Sequence, residues 1–232
     1  MEYRTLGTTG ISVSTFALGT MMFGAWGNPD AAECTAMVHH ALDAGINLID
    51  TADVYDAGRS EEILGAALAG RRDNVVLATK VFNPMGDDPN RRGASRRWIM
   101  RACEESLRRL RTDWIDLYQV HRLDERTDLD QSLSALSDLV HQGKVRAIGT
   151  STFPASAIVE AQWVADRRGH ERFVAEQPPY SVLARGVEAD VLPVCRRHAV
   201  GVLGEPVHLV QVDPLGAQPP QALLAGPDDP AP

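Results

Sequence analysis

The chain has 232 residues, 44% hydrophobic and 23% charged, with a formal net charge of −8. That supplies one sizeable core, and the acidic balance argues against nucleic-acid binding. No apolar run reaches the ~18 residues of a membrane span, Met1–Gly10 lacks the apolar stretch of a secretory signal, and Cys34, Cys103 and Cys195 show no CxxC spacing, so a reduced, cytoplasmic protein without a metal site is expected.

In chain order, Tyr3–Leu6 and Ile11–Val13 flank a TTG turn and predict a small hairpin. Phe16–Leu18 is the first short strand. Asp30 is placed to cap a helix running to about Ala44, with Met37, Ala41 and Leu42 on one face. Ile46–Ile49 is the second strand, and Ser60 is read as the cap of a helix through Leu68. Val75–Ala78 is the third strand, with Lys80 just past it. Ser95–Leu110 is strongly amphipathic, with Ile99, Cys103, Leu107 and Leu110 at helical spacing. Trp114–Val120, Val145–Ile148, Phe173–Ala175 and Val200–Leu203 are further strands. They alternate with helices over Leu129–His141, Pro154 to about Asp166 with proline at N1, and Val187–His198.

Strict alternation implies parallel strands joined by right-handed crossovers. An open doubly wound sheet that binds a dinucleotide would usually carry GxGxxG after its first strand, and Gly19, Gly24 and Gly27 have the wrong spacing. Polar groups sit instead at the ends of several successive strands, as in a TIM-type (β/α)8 barrel. About seven strands are recognisable in a domain over 1–203, where such a barrel usually takes about 250 residues. The segment 204–232 holds seven of the fourteen prolines and is expected to be mostly irregular, with Val207–Val212 able to add a makeshift edge strand.

Four residues form the candidate site. Asp50 ends the strand INLI, Tyr55 lies in the following loop, Lys80 follows VVLAT, and His121 follows DLYQV. Singly, each has an ordinary explanation: a helix cap, a surface phenol, a structural histidine. Together they fall on one rim of the barrel. Of the 23 basic residues, 21 are arginine, so Lys80 and Lys144 are the only lysines, and lysine is the basic residue with a tunable pKa. An ammonium beside a phenol favours phenolate character. Such a phenol is suited to donate a proton to a carbonyl oxygen while hydride, which no side chain supplies, reaches the carbon. A metal hydrolase using Asp50 and His121 would want further ligands at strand ends.

At these residues the sequence resembles the aldo-keto reductases, in particular the bacterial and potassium-channel-β-like branch. The similar segments are EYRTLGTTGISVSTFALGTMMFG, GINLIDTADVYDAGRSEEILGAAL, VVLATKV, DWIDLYQVHRLD, GKVRAIGTSTF and EQPPYSVLAR, which together span roughly residues 1–202. The resemblance implies a (β/α)8 barrel that binds NADP(H) across its C-terminal mouth and reduces a small-molecule carbonyl. It implies Tyr55 as general acid, tuned by Lys80 and Asp50, with His121 orienting the carbonyl. Ser151 and Gln177 match positions that hold the nicotinamide carboxamide, and Thr152 stands where the family usually has Asn. Thr20 and Met21 match the segment under the nicotinamide.

The resemblance departs after VGVL, where GEPVHLVQ stands in place of a WSPL-type segment. No Arg or Lys follows Arg197, so the family's grip on the adenosine 2′-phosphate has no counterpart there. The expectation is a C-terminally truncated or altered barrel that folds marginally and holds NADPH weakly. The alternative is a catalytically impaired remnant or a non-enzymatic binding subunit.

Overall fold

Short apolar runs alternating with amphipathic stretches produce the expected strand–helix succession in the computed structural model, which describes residues 1–204 and 208–210. The hairpin pairs β1 (Tyr3–Thr5) antiparallel with β2 (Ser12–Ser14). There follow β3 (Ala17–Gly19), α1 (Ala31–Asp43), β4 (Leu48–Asp50), α2 (Arg59–Ala67), β5 (Val76–Val81) and α3 (Arg96–Leu110). Next come β6 (Ile115–Val120), α4 (Leu129–His141), β7 (Val145–Ser151), α5 (Ala155–Arg168), β8 (Phe173–Gln177), α6 (Val191–His198), β9 (Gly201–Gly204) and β10 (His208–Val210).

Strands β3 to β9 are parallel and lie side by side in chain order. The sheet curls: the Gln177 side-chain amide on β8 donates to Asp50 Oδ2 on β4 at 3.3 Å, whereas strands four places apart in a flat sheet lie about 19 Å apart. Inside the curl, Leu48, Val76, Ala78, Leu117, Ala147, Ala175 and Leu203 form one core with Leu6 and Val13 of the hairpin. The hairpin seals the N-terminal ends of the strands. Gly7, at φ +51°, comes so close that a Cβ there would lie 2.3 Å from the Val174 carbonyl oxygen. A second, larger core lies between the outer face of the sheet and the helices.

Several local expectations are corrected. The buried stripe of α1 is Cys34, Val38 and Ala41, while Met37 is exposed; the same periodicity fits a face rotated by one residue, and the neighbouring sheet selects it. Gly58, not Ser60, precedes α2, and Ser60 is buried inside the helix because its hydroxyl is used across the chain by Thr20. Lys80 lies within β5 rather than past it. Pro154 is the N-cap of α5, its ψ of 153° being extended, so the helix begins at Ala155. The run Val187–His198 divides into a 3-10 turn, Gly186–Glu188, and α6. Asp30 caps α1 as expected, and Ser95, read as the first residue of its helix, is instead the cap of α3. The segment expected to be irregular lies outside the described residues except for Gly204 and β10, and β10 pairs antiparallel with β9 where an added strand was expected.

Candidate active site

The period-two alternation of β-strands builds the site. On β4, Leu48 faces the inner core and Asp50 stands above it; on β5, Val76 and Ala78 lie beneath Lys80; on β6, Leu117 lies beneath Gln119. The inner face therefore turns from apolar to polar at the C-terminal ends of the strands. This is the end at which barrels assemble their sites.

There the fully buried Lys80 ammonium donates to both carboxylate oxygens of Asp50, at 2.7 and 2.6 Å, and to the Thr51 carbonyl at 3.0 Å. It also lies 5.4 Å from the centre of the Tyr55 ring and hydrogen-bonds with Tyr55. Burial pushes the Lys80 pKa down, but the Asp50 charge and the contact with Tyr55 outweigh it, and the net direction is up. The ammonium thus stays charged. His121 stands edge-on to Tyr55, ring centres 6.0 Å apart. Burial, then the Lys80 and Arg122 charges, push its pKa down to about 3, so the imidazole is neutral. The four residues, separated in sequence, meet at one end of the sheet.

The remaining predicted residues line the same rim. Thr20 is buried, and its N–H and hydroxyl both donate to the Asp50 carbonyl. Met21, next to it, is half exposed. The Ser151 hydroxyl donates to the Gln177 carbonyl at 2.9 Å and lies 3.3 Å from the Thr152 hydroxyl. Gln177 also accepts from the Gln119 amide at 3.1 Å, which links it to the floor of the cleft. Thr152 is exposed and takes a left-handed φ of 58°. Hydroxyls and amides are thus within hydrogen-bond distance of one another. That supplies both the donors and the acceptors a carboxamide requires.

Sequence reasoning missed several contributors. Gln119 lies two residues before His121, so strand alternation could have found it. Asn83 could not have been found: its amide meets His121 Nδ1 at 3.2 Å from a loop 38 residues away. With the amide nitrogen as donor, Nδ1 is the acceptor and Nε2 carries the proton. Asp56 accepts from the Ala25 N–H at 2.8 Å and ties down the loop that brings Trp26 to 6.4 Å from Tyr55. That loop needs Gly24, at φ +104°, because a Cβ there would lie 2.2 Å from the Asp56 carboxylate. Behind Lys80, buried Glu61 accepts from the Thr79 hydroxyl and from Arg109, both at 2.6 Å.

Comparison with known proteins identifies the family. The model of the aldo/keto reductase family matches residues 15–208. An uncharacterized oxidoreductase of Bacillus subtilis, YrpG, is 44% identical over 216 residues, covering 88% of this chain and 65% of the relative. A probable voltage-gated potassium channel subunit beta of Arabidopsis thaliana is 37% identical over 210 residues, covering 87% of this chain and 62% of the relative. Among solved structures, the aldo-keto reductase AKR11C1 from Bacillus halodurans, in its holo form, superposes with a TM-score of 0.77 at 33% identity, covering 88% of this chain and 65% of that one. The chain thus spans somewhat less than two thirds of the length of each.

Proposed function

Because the chain belongs to the aldo/keto reductase family, we propose that it reduces aldehydes or ketones to alcohols with NADPH, using Tyr55 as the proton donor. The observation that carries this reading is the buried Lys80 ammonium, gripped by Asp50 at 2.6 Å and set against Tyr55 beside a neutral imidazole.

The nicotinamide, when bound, supplies the hydride that no side chain can. Ser151, Thr152 and Gln177 would hold its carboxamide, with Thr20 and Met21 beneath the ring. His121 Nε2–H donates to the substrate carbonyl oxygen and orients it. As the carbonyl carbon takes the hydride, its oxygen takes the Tyr55 proton and becomes the alcohol. The Lys80 charge stabilises the phenolate left behind, and Asp50 keeps that ammonium in place. Solvent then returns a proton to Tyr55. Trp26, half exposed beside Tyr55, gives the cleft an aromatic wall.

The test is a fluorescence titration of the purified protein with NADPH and NADH, followed by NADPH consumption with aliphatic and aromatic aldehydes. Binding of NADPH with turnover supports the reading. NADPH bound but never consumed by any carbonyl would favour the alternative, a non-catalytic binding subunit. No binding of either nucleotide overturns both.

A further inference from the structure

Glu176 lies on β8 directly before Gln177 and is fully buried. Among the described residues its hydrogen-bond partners are neutral, and they come from one short segment. The Thr150 hydroxyl donates to Oε2 and the Phe153 N–H donates to Oε1 at 3.1 Å. The segment they belong to is the turn that leaves β7 and presents Ser151 and Thr152 at the mouth of the cleft.

This turn needs an anchor. Thr152 is β-branched, yet its φ is +58°, a left-handed conformation that is strained for such a residue and persists only where the surroundings over-determine it. The turn is held to β8 by the bonds of Ser151 and Thr152 to the Gln177 carbonyl and by the Glu176 carboxylate behind it. A carboxylate buried without a cation is costly unless hydrogen bonds converge on it, and here two do, one on each oxygen.

We propose that the Glu176 carboxylate sets the 150–153 turn in its cofactor-binding shape, which makes Glu176 a positioning residue for the nicotinamide carboxamide. This rests on the reading that Ser151, Thr152 and Gln177 hold that group.

The consequence is a dependence on pH. Burial pushes the Glu176 pKa up to about 7, against the lowering effect of its hydrogen bonds. Among the described residues, a titratable group that faces it is the Cys195 thiol on α6, itself pushed up to about 12 by burial and by Glu176, and so neutral over the working range. Above about pH 7 the ionised carboxylate accepts from both the Thr150 hydroxyl and the Phe153 N–H. Below it the protonated acid becomes a donor on one oxygen, and its hold on the turn weakens.

The experiment compares wild type with Glu176→Gln, whose neutral amide mimics the protonated acid. At pH 8 the variant should bind NADPH about five-fold more weakly, the difference between a charge-assisted and a neutral hydrogen bond. Its KM for NADPH should rise while kcat changes little. The ratio of the two dissociation constants should return towards one as pH falls below 6.5. Taking the ratio cancels the titration of the 2′-phosphate itself, which has its own pKa near 6. In the ligand-free proteins at pH 8, the Thr152 and Phe153 amides should exchange with solvent faster in the variant. Thr150→Val, which removes one donor, should move the midpoint of the wild-type response to higher pH. Equal NADPH affinity and equal amide exchange at pH 8 would overturn the inference while leaving the proposed function intact. If wild type binds no NADPH, the functional reading itself fails, and amide exchange alone then decides whether Glu176 anchors the turn.

Discussion

His121 is held neutral because burial and the charges of Lys80 and Arg122 push its pKa down to about 3, well below the ordinary value near 6.5. A histidine depressed in the folded state contributes stability above its unfolded pKa and loses it as pH falls. Stability should therefore drop between about pH 6.5 and 3, and His121→Gln should flatten that drop in acid melts. An acid limb of equal steepness in both proteins would show that other groups govern it. Glu176 has the opposite sign. Its pKa is raised to about 7, so its favourable contribution is complete below about pH 4.5 and is lost as pH rises through 7. Glu176→Gln should accordingly melt higher than wild type at pH 8 and near it at pH 4.5, even though it binds cofactor less well. Tyr55→Phe keeps the ring and removes the proton, so kcat should fall by about 10²–10⁴, the usual size of a general-acid contribution. Undiminished turnover would mean that the proton comes from elsewhere.

At the N-terminal ends of the strands, Asp116 on β6 joins neighbouring elements much as Asp50 joins them at the mouth. It accepts from Arg72 at 2.7 Å, from Arg146 on β7 at 2.8 Å and from the Leu77 N–H on β5 at 3.0 Å, while both guanidiniums lie against Trp114. Asp116 and Arg72 are largely buried, so Asp116→Asn should cost about 3 kcal/mol, as for a broken buried ion pair. NADPH affinity should not change. A loss under about 0.5 kcal/mol in urea denaturation, the scale of surface substitutions, would show that the junction contributes little. Such junctions mark the limit of what the sequence discloses. Asp50 and Lys80 were singled out because each stands at the end of an apolar run, where successive parallel strands bring their ends together. Asn83, Asp56 and Glu61 were not, since nothing local says which distant group a loop or helix carboxylate will meet. Ser60 shows the same limit: a serine early in a helix reads as a cap, and only the approach of Thr20 from 40 residues away buries it instead. In α1, periodicity fits a stripe through Met37 as well as one through Cys34 and Val38, and the choice belongs to the sheet behind it.

At the scale of the molecule, two cores meet across one curled sheet, and the hairpin side chain Leu6 completes the inner one. Leu6 is fully buried among side chains drawn from β4 to β9, so it couples strands that do not otherwise touch. Leu6→Ala should cost about 2–5 kcal/mol, the range for opening a cavity in a packed core. The three cysteines make the effect readable sector by sector. Cys34, Cys103 and Cys195 are buried under α1, α3 and α6. Burial pushes all three thiols up, Cys103 and Cys195 to about 12, so none reacts as a thiolate while the fold is closed. Labelling then requires opening, and its rate follows the open population when closing is fast. If the curled sheet opens as one cooperative unit, Leu6→Ala should accelerate labelling of all three cysteines by the same factor, about thirty-fold or more for 2 kcal/mol and upward. Acceleration at Cys34 alone, with Cys103 and Cys195 unchanged, would show instead that the hairpin braces only the first strands and that β5 to β9 hold together without it.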